Sequence, residues 1–405
     1  MQEDIETFQA ALGLAEPWLV AGSALDLEQQ RLEIYIETEK GARFDCPSCG
    51  VAGCPVHDVR EYTWRHLDFW QHQTHLVARV PRVRCEACGV HQVRVPWARK
   101  GIRMTQRFEA LVMRLVRDMP VNAAARLLGE HDTRLWRVIH HYVEAARKTE
   151  NHAGVRRVAF DETASKRGHN YVSLFVDIDG AKVLFVADGK DSATVAAFAE
   201  DLAAHGGDPA QISETCMDMS PAFISGTAAH LPKAEITFDK FHAVKIVNDA
   251  VDDVRREEAK LRPELRRTRY AWLKNQTNLT SAQRDSIASL KKHNLKTARA
   301  YQMRLTFQEF YQQPCRTVGE VFLKKWFYWG THSRLQPMIK AARTIKRHWN
   351  GVLRWHDTHI ANGLLEGINS LVQAAKAKAR GYRTSRNLKA MIYLIAGKLN
   401  IAVPT

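Results

Sequence analysis

The chain has 405 residues, 45% hydrophobic and 25% charged, a globular mix that excludes a disordered or membrane-embedded polypeptide. On a scale of ~100–200 residues per domain, that length supports several domains without disulfides. The charge is less ordinary: 59 Lys+Arg against 44 Asp+Glu give a formal net charge of +15.

The excess is unevenly placed. Residues 1–45 hold ten acids and three bases, a local −7 that leaves +22 on the other 360 residues. Between Arg255 and Arg299 thirteen bases face four acids, and beyond Glu366 there are seven bases and no acid. Such a gradient reads as an electrostatic footprint for a polyanion. No run of ~18 apolar residues is present. The acidic start MQEDIETFQA is unlike a signal peptide, so a soluble, cytoplasmic protein is expected.

Residues 1–45 form an acidic N-terminal segment, after which cysteines crowd the chain: five of the seven lie within residues 46–88. Cys46-Pro-Ser-Cys49-Gly and Cys85-Glu-Ala-Cys88-Gly are two C-x2-C knuckles, each presenting two thiolates from a tight turn. Together they can complete a tetrahedral shell around one structural Zn2+, with no open position for catalysis. Gly50 and Gly89 follow the second Cys of each knuckle, where a residue tolerant of positive φ is favoured. Residues 74–84 alternate apolar and basic, as a strand with one solvated face does. Cys54 and His57 compete for a ligand place but crowd the first knuckle without closing the ribbon. These features define a zinc ribbon over residues 46–100.

Residues 101–150 read as a helix-turn-helix DNA-binding domain. Phe108, Leu111, Val112, Leu115 and Val116 recur at helical spacing until Met119-Pro120 ends the helix. A short Ala-rich helix over 121–128, a turn at Gly129-Glu130-His131, and a third helix from Asp132 towards Ala146 follow. Arg134 and Arg137 would project from the early recognition helix towards base edges or phosphates.

From residue 156 the pattern changes to strands: 156–160, then 171–178 and 182–187 joined by an Asp-Gly turn. A helix over 192–205, a strand ending at Met217-Asp218, another helix and a strand over 234–238 follow, which together predict a mixed sheet. Asp161 and Asp218 are each expected to emerge at a strand end. Hard cations such as Mg2+ take oxygen ligands, and two such ions held by shared carboxylates catalyse phosphoryl transfer. A third acid is usually needed, and Glu366 is the best candidate. It lies in a predicted helix over 360–380 whose Asn362, Glu366, Asn369, Gln373, Lys376 and Arg380 share one stripe. That stripe suits a metal-bound phosphodiester and its backbone; a solvated helix face is the plainer reading. Asp239, in Asp-x-Phe-His, could replace or assist Asp218, and His242 could contact phosphate or simply pack. Glu162 should point away from Asp161. The aromatic run Trp326-Phe327-Tyr328-Trp329 is more readily a helical core stripe than a base-stacking platform.

Over nearly its whole length the chain resembles the ISL-three family of bacterial insertion-sequence transposases. The resemblance rests on Phe160-Asp161-Glu162, Met217-Asp218-Met219-Ser220, Phe238-Asp239-Lys240-Phe241-His242, Asn362 to Asn369 (NGLLEGIN) and Ala379-Arg380-Gly381-Tyr382. It implies a multidomain α+β protein whose residues 151–405 form a ribonuclease H-like α/β catalytic domain, with a large helical insertion at about 249–350. It further implies that Asp161, Asp218 and Glu366 are the Asp-Asp-Glu triad, holding two Mg2+ or Mn2+ ions, with Asp239, His242 and Asn369 secondary. Gln373, Lys376 and Arg380 would join Arg134 and Arg137 on DNA. The implied activity is binding of terminal inverted repeats, cleavage at the element ends and joining of the 3′-OH to target DNA. The implied setting is a homodimer or higher oligomer on double-stranded DNA at the bacterial nucleoid, away from membranes. The competing readings are a DNA-binding regulator that has lost its chemistry and a nuclease without strand transfer.

Overall fold

The computed structural model describes residues 2–166, 168, 170–291, 293, 295–360 and 363–403. They form two compact units, one of Met1–Ala146 with Asn400–Thr405 and one of Arg147–Leu399.

The first unit opens with α1 (Gln2–Leu12) and continues through β1 (Trp18–Asp26), β2 (Arg31–Thr38), β3 (Val56–Arg65), β4 (Gln73–Cys85) and β5 (Gly89–Gln92). The strands make one sheet in the order β1-β2-β4-β3 with β5 also on β4. β2 runs parallel to β4 and the other pairs are antiparallel. The expected alternation holds on β4, whose Leu76, Ala78 and Val80 are fully buried. Residues 1–45, which charge alone sets apart, supply two strands to this sheet. The reason is visible on β2, where buried Leu32, Ile34 and Ile36 alternate with Glu33, Tyr35 and Glu37. The acids occupy the outward positions of an amphipathic strand, and Glu37 lies 3.5 Å from Arg79 of β4. Trp97 closes the core, meeting Trp18 and Trp64 edge-on at 5.0 and 5.5 Å between centroids.

Three helices follow: α2 (Gln106–Asp118), α3 (Val121–Leu127) and α4 (Asp132–Lys148). Thr105 caps α2 by accepting the Phe108 N–H. Gly129 turns the chain between α3 and α4 at φ +64°, a conformation that a side chain would strain. Arg65, at the end of β3 and 2% exposed, ties the sheet to these helices. It donates to the Thr74 carbonyl at 3.3 Å and the Leu128 carbonyl at 3.4 Å, and its guanidinium lies 4.8 Å over the Phe108 ring.

The second unit carries β6 (Arg157–Ala164), β7 (Tyr171–Asp177), β8 (Lys182–Asp188), α5 (Ser192–Ala204), β9 (Glu214–Met217), α6 (Pro221–His230), β10 (Glu235–Phe238) and α7 (Lys240–Glu258). The sheet order is β10-β9-β6-β7-β8. β6, β7 and β8 form an antiparallel meander, while β9 and β10 add in parallel beside β6. This is the mixed sheet that the order of strands and helices predicts. The insertion is helical, with α8 (Arg269–Leu273), α9 (Ser281–Lys291), α10 (Lys296–Glu309), α11 (Arg316–Thr331) and α12 (Gln336–Arg347). Then come α13 (Trp349–Leu353), α14 (Trp355–Thr358), α15 (Gly363–Lys378) and α16 (Ser385–Ala396). One sheet face packs Phe160 and Phe175 with Phe198 of α5, in a core continuous with Trp272, Tyr301 and Trp326 of the insertion. The other packs Val172, Leu174 and Val176 with residues of α15 and α16, among them Ile368, Val372 and Ile392. In the aromatic run Trp326 is buried and donates to the Met303 carbonyl at 2.8 Å, whereas Tyr328 is exposed. α13 approaches β10 so closely that a Cβ on Gly351 would come within 2.4 Å of the Phe238 ring. Among the described residues no helix is long and apolar enough to cross a membrane.

Glu109 of α2 is wholly buried and accepts from Arg99 Nε at 2.9 Å and Nη2 at 2.5 Å and from the Tyr142 hydroxyl at 2.9 Å. Removing one partner strands the others in a dry interior, so Glu109→Ala should lower unfolding stability by ~3–5 kcal/mol. Urea titration checks this, and a loss below about 1 kcal/mol would contradict it.

Candidate active site and zinc centre

The acids are lined up by strand register. β6 and β9 pair in parallel at Ala159 and Cys216, so two residues further on Asp161 and Asp218 stand at the same level of adjacent strands. β10 pairs with β9 at Phe238 and Met217, which puts Asp239 beside Asp218 on the next strand. The Asp239 N–H donates to the Met217 carbonyl at 2.9 Å and continues that ladder. Asp218 and Asp239 thus follow their strands' last residues, at the carboxyl edge where ligands of α/β sheets bind. Asp161 differs from the expected strand end: it lies within β6, opposite Leu174 of β7. β6 outruns its parallel neighbour because its antiparallel pairing with β7 continues to Ala164.

The environment is crowded with negative charge. Burial raises the Asp161 carboxyl above its ordinary range; the Glu162 amide and His242 pull it down, while Asp218 and Asp239 push it further up. Its Oδ1 accepts the Glu162 N–H at 2.7 Å and its Oδ2 accepts from Asn369 Nδ2 at 2.8 Å. Asp218 is partly exposed and accepts the Ser220 N–H at 2.9 Å. Asp239 is 2% exposed and caps α7, accepting from the Phe241 and His242 amides at 3.1 and 3.3 Å and from His242 Nδ1 at 2.7 Å. Burial works against the His242 imidazolium, but the hydrogen bond to Asp239 and the fields of Asp239, Asp161 and Asp218 raise its pKa overall. Like charges packed at a half-buried sheet edge fit an oxygen-ligated divalent cation, which would relieve their repulsion. Glu162, with Oε2 3.7 Å from Lys190 Nζ, is also raised, first by burial.

α15 lies over β6 through its polar stripe. Asn369 reaches Asp161, Gln373 Nε2 donates to Thr163 Oγ1 at 2.7 Å and the Ala164 carbonyl at 3.1 Å, and Lys376 Nζ donates to the same carbonyl at 2.6 Å. Glu366, exposed, stands one turn before Asn369. Arg380 is exposed beyond the helix end, and Asn362 lies outside the described residues. Gln373 and Lys376, expected on DNA, therefore have partners within the protein. The i, i+4, i+7 spacing that marks the stripe is equally the signal of a helix docked by its polar face. In the helix-turn-helix, Arg134 donates to Glu130 and to the Arg103 carbonyl, at 2.5 and 2.9 Å, while Arg137 is exposed.

The knuckles of the first unit converge. One sulfur each from Cys46, Cys49, Cys85 and Cys88 lies within 4.8 Å of the others, and Cys49 Sγ is 3.6 Å from Cys85 Sγ. Zn–S bonds of ~2.3 Å in a tetrahedron demand sulfurs ~3.8 Å apart, so the cluster fits a structural zinc ion. Backbone N–H groups of Cys49 and Ser48 point at the Cys46 sulfur and pull its pKa to about 6, favouring the thiolate that a metal needs. Gly50 and Gly89 adopt φ +79° and +81°, as the knuckle turns require. Cys54 is buried with its thiol towards the Val51 carbonyl at 3.6 Å, and His57 Nδ1 lies 3.1 Å from Arg84 Nη2.

Three family models match in succession. A zinc finger of the transposases IS204/IS1001/IS1096/IS1165 covers residues 42–88, a helix-turn-helix domain of transposase family ISL3 covers 93–143, and the ISL3 DDE-type transposase model covers 158–392. The transposase for insertion sequence element IS1001 of Bordetella parapertussis is 28% identical over 367 residues, covering 87% of this chain and 88% of that protein. The transposase for insertion sequence element IS1557 of Mycobacterium tuberculosis is 27% identical over 366 residues, covering 82% of this chain and 80% of that protein. With the transposase model spanning more than half of its residues, behind a matching zinc ribbon and helix-turn-helix, the chain belongs to the ISL3 family of insertion-sequence transposases.

Proposed function

We propose that this transposase binds the terminal inverted repeats of an insertion sequence, cleaves a phosphodiester at each end and joins the freed 3′-OH to target DNA. The observation that carries the reading is the level row Asp161–Asp218–Asp239, with the helix bearing Glu366 bonded to the first of the three.

Asp161, Asp218 and Glu366 are the residues to hold two Mg2+ or Mn2+ ions. Such ions, when bound, supply an activated attacking oxygen and neutralise charge on the phosphate. The protein's own groups do the positioning. Asn369 and the Glu162 amide fix the orientation of the Asp161 carboxylate. Asp239 caps α7 and holds His242 by its Nδ1, so that the protonated ring offers its Nε2 proton to a phosphate oxygen. Asp239 is spent on that task, which leaves Asp218 as the second metal-holding acid. Cleavage and joining are both in-line displacements at phosphorus, so no covalent protein intermediate is required. The ribbon (46–100) and the helix-turn-helix (101–150), with Arg137 exposed on α4, select the DNA, while Arg380 contacts its backbone. Two ends must be held together, which calls for at least two copies of the chain on DNA.

Asp161→Asn, Asp218→Asn and Glu366→Gln should each abolish Mg2+-dependent nicking of an end-containing duplex, with repeat binding unchanged in a gel-shift assay. Full cleavage by any purified variant would remove that residue from the site. Asn369→Asp puts a like charge on Asp161 and should slow cleavage by ~10–100-fold, again without loss of binding. Cys46→Ser should cost one zinc equivalent per chain by elemental analysis and weaken repeat binding; unchanged zinc would discredit that ligand.

A further inference from the structure

Outside the active site and the ribbon, the second unit holds another cluster of metal-ligating side chains: His152, between α4 and β6, with Asp201 and His205 at the end of α5. One ligand atom from each lies within 4.8 Å of the other two, and the imidazole rings are 4.9 Å apart between centroids.

His152 is wholly buried, yet among the described residues neither ring nitrogen has a hydrogen-bond partner within 3.5 Å; Glu150 Oε1 lies 3.6 Å from Nε2. A buried imidazole almost always uses its nitrogens, so an Nδ1 without a partner and an Nε2 held only by the long contact to Glu150 leave room for a ligand. His205 is arranged as metal-bound histidines are. Its Nδ1 donates to the Asp201 carbonyl at 2.7 Å, which fixes the proton there and leaves a lone pair on Nε2. The backbone is already closed around the cluster, because the His152 N–H donates to the His205 carbonyl at 2.8 Å. Gly207 allows that approach, since a Cβ there would meet the His152 carbonyl oxygen at 3.1 Å. Both oxygens of Asp201 accept from Arg147 Nη2 at 2.8 Å, but each keeps a second lone pair. Arg147 and Lys182, which is 3.0 Å from Glu150, are cations near the cluster, so binding here should be weaker than at four thiolates.

We propose that His152, Asp201 and His205 form a second zinc site, in which the ion clips the segment leading into β6 to the end of α5. Two imidazoles and one carboxylate suit Zn2+ and not Mg2+. Three protein ligands leave the fourth position to water, and the ion would fasten the chain five residues before the strand that carries Asp161.

The test counts zinc per chain by elemental analysis on full-length protein carrying Asp161→Asn and Asp218→Asn, so that ions at the active-site acids are not counted. Zinc is supplied in excess and the protein is then gel-filtered. The expected result is two equivalents, falling to one with His205→Gln and also to one when Cys46 and Cys49 are changed to Ser. Cobalt substitution of the same protein, which needs no His variant, should give one equivalent with thiolate charge-transfer absorption and a second without it. One zinc in both the parent and the His205→Gln protein, or bound cobalt that is all thiolate-ligated, would overturn the proposal.

Discussion

The catalytic unit depends on the parallel register of β6, β9 and β10. Side chains on neighbouring parallel strands face the same side only when the register is kept, and a slip of one residue turns a strand's side chains to the opposite face. Pairing of Ala159 with Cys216 and of Met217 with Phe238 is what brings three carboxylates into one row. The arrangement is costly on its own terms, since burial and mutual repulsion raise the Asp161 carboxyl. The protein offsets the cost with two donors to Asp161, the Glu162 amide and Asn369, and with the charge of His242. A cluster of carboxylates perturbed by burial and by one another is a candidate functional site.

α15 depends in turn on that row. Its apolar side is fixed by Leu365, Ile368 and Val372 against the sheet, which sets rotation. Its polar side is fixed by Asn369, Gln373 and Lys376 along the free edge of β6 that β9 leaves uncovered. Two independent constraints on one helix leave little freedom for Glu366. With ~1.5 Å of rise per residue, it stands about 4.5 Å along the axis from the residue bonded to Asp161. The docking therefore fixes the place of Glu366 and occupies Gln373 and Lys376 within the protein.

Much of this was legible in the sequence, and the exceptions share a cause. The knuckle spacing, the helix-turn-helix and the order of strands and helices are local patterns, and each stands close to where it was expected. The three aspartates were visible because each follows an apolar strand run. What composition concealed was partnership across the chain. Residues 1–45 stand apart by net charge but not by fold, because the alternation of charge makes β2 an ordinary sheet strand with acids outward. Asp161 looked like a strand end because only the pairing with β7 carries β6 three residues further. His152 and His205 sit 53 positions apart with no spacing motif between them, so nothing short of the fold could bring them together.

A small part of the basic excess is structural. Arg255 belongs to the cationic stretch of the insertion, but it is buried and spent on Asp252 and the Leu265 carbonyl. Arg304 is 2% exposed and anchors the carbonyls of Leu273 and Lys274. These arginines build the insertion's core, where a planar fork satisfies several carbonyls at once. Arg256, Arg262 and Arg269 keep more than half of their side-chain surface in solvent. A polyanion senses the second group and not the first. Among the described cations between residues 255 and 299 Arg255 alone is buried, so that stretch keeps most of its charge at the surface.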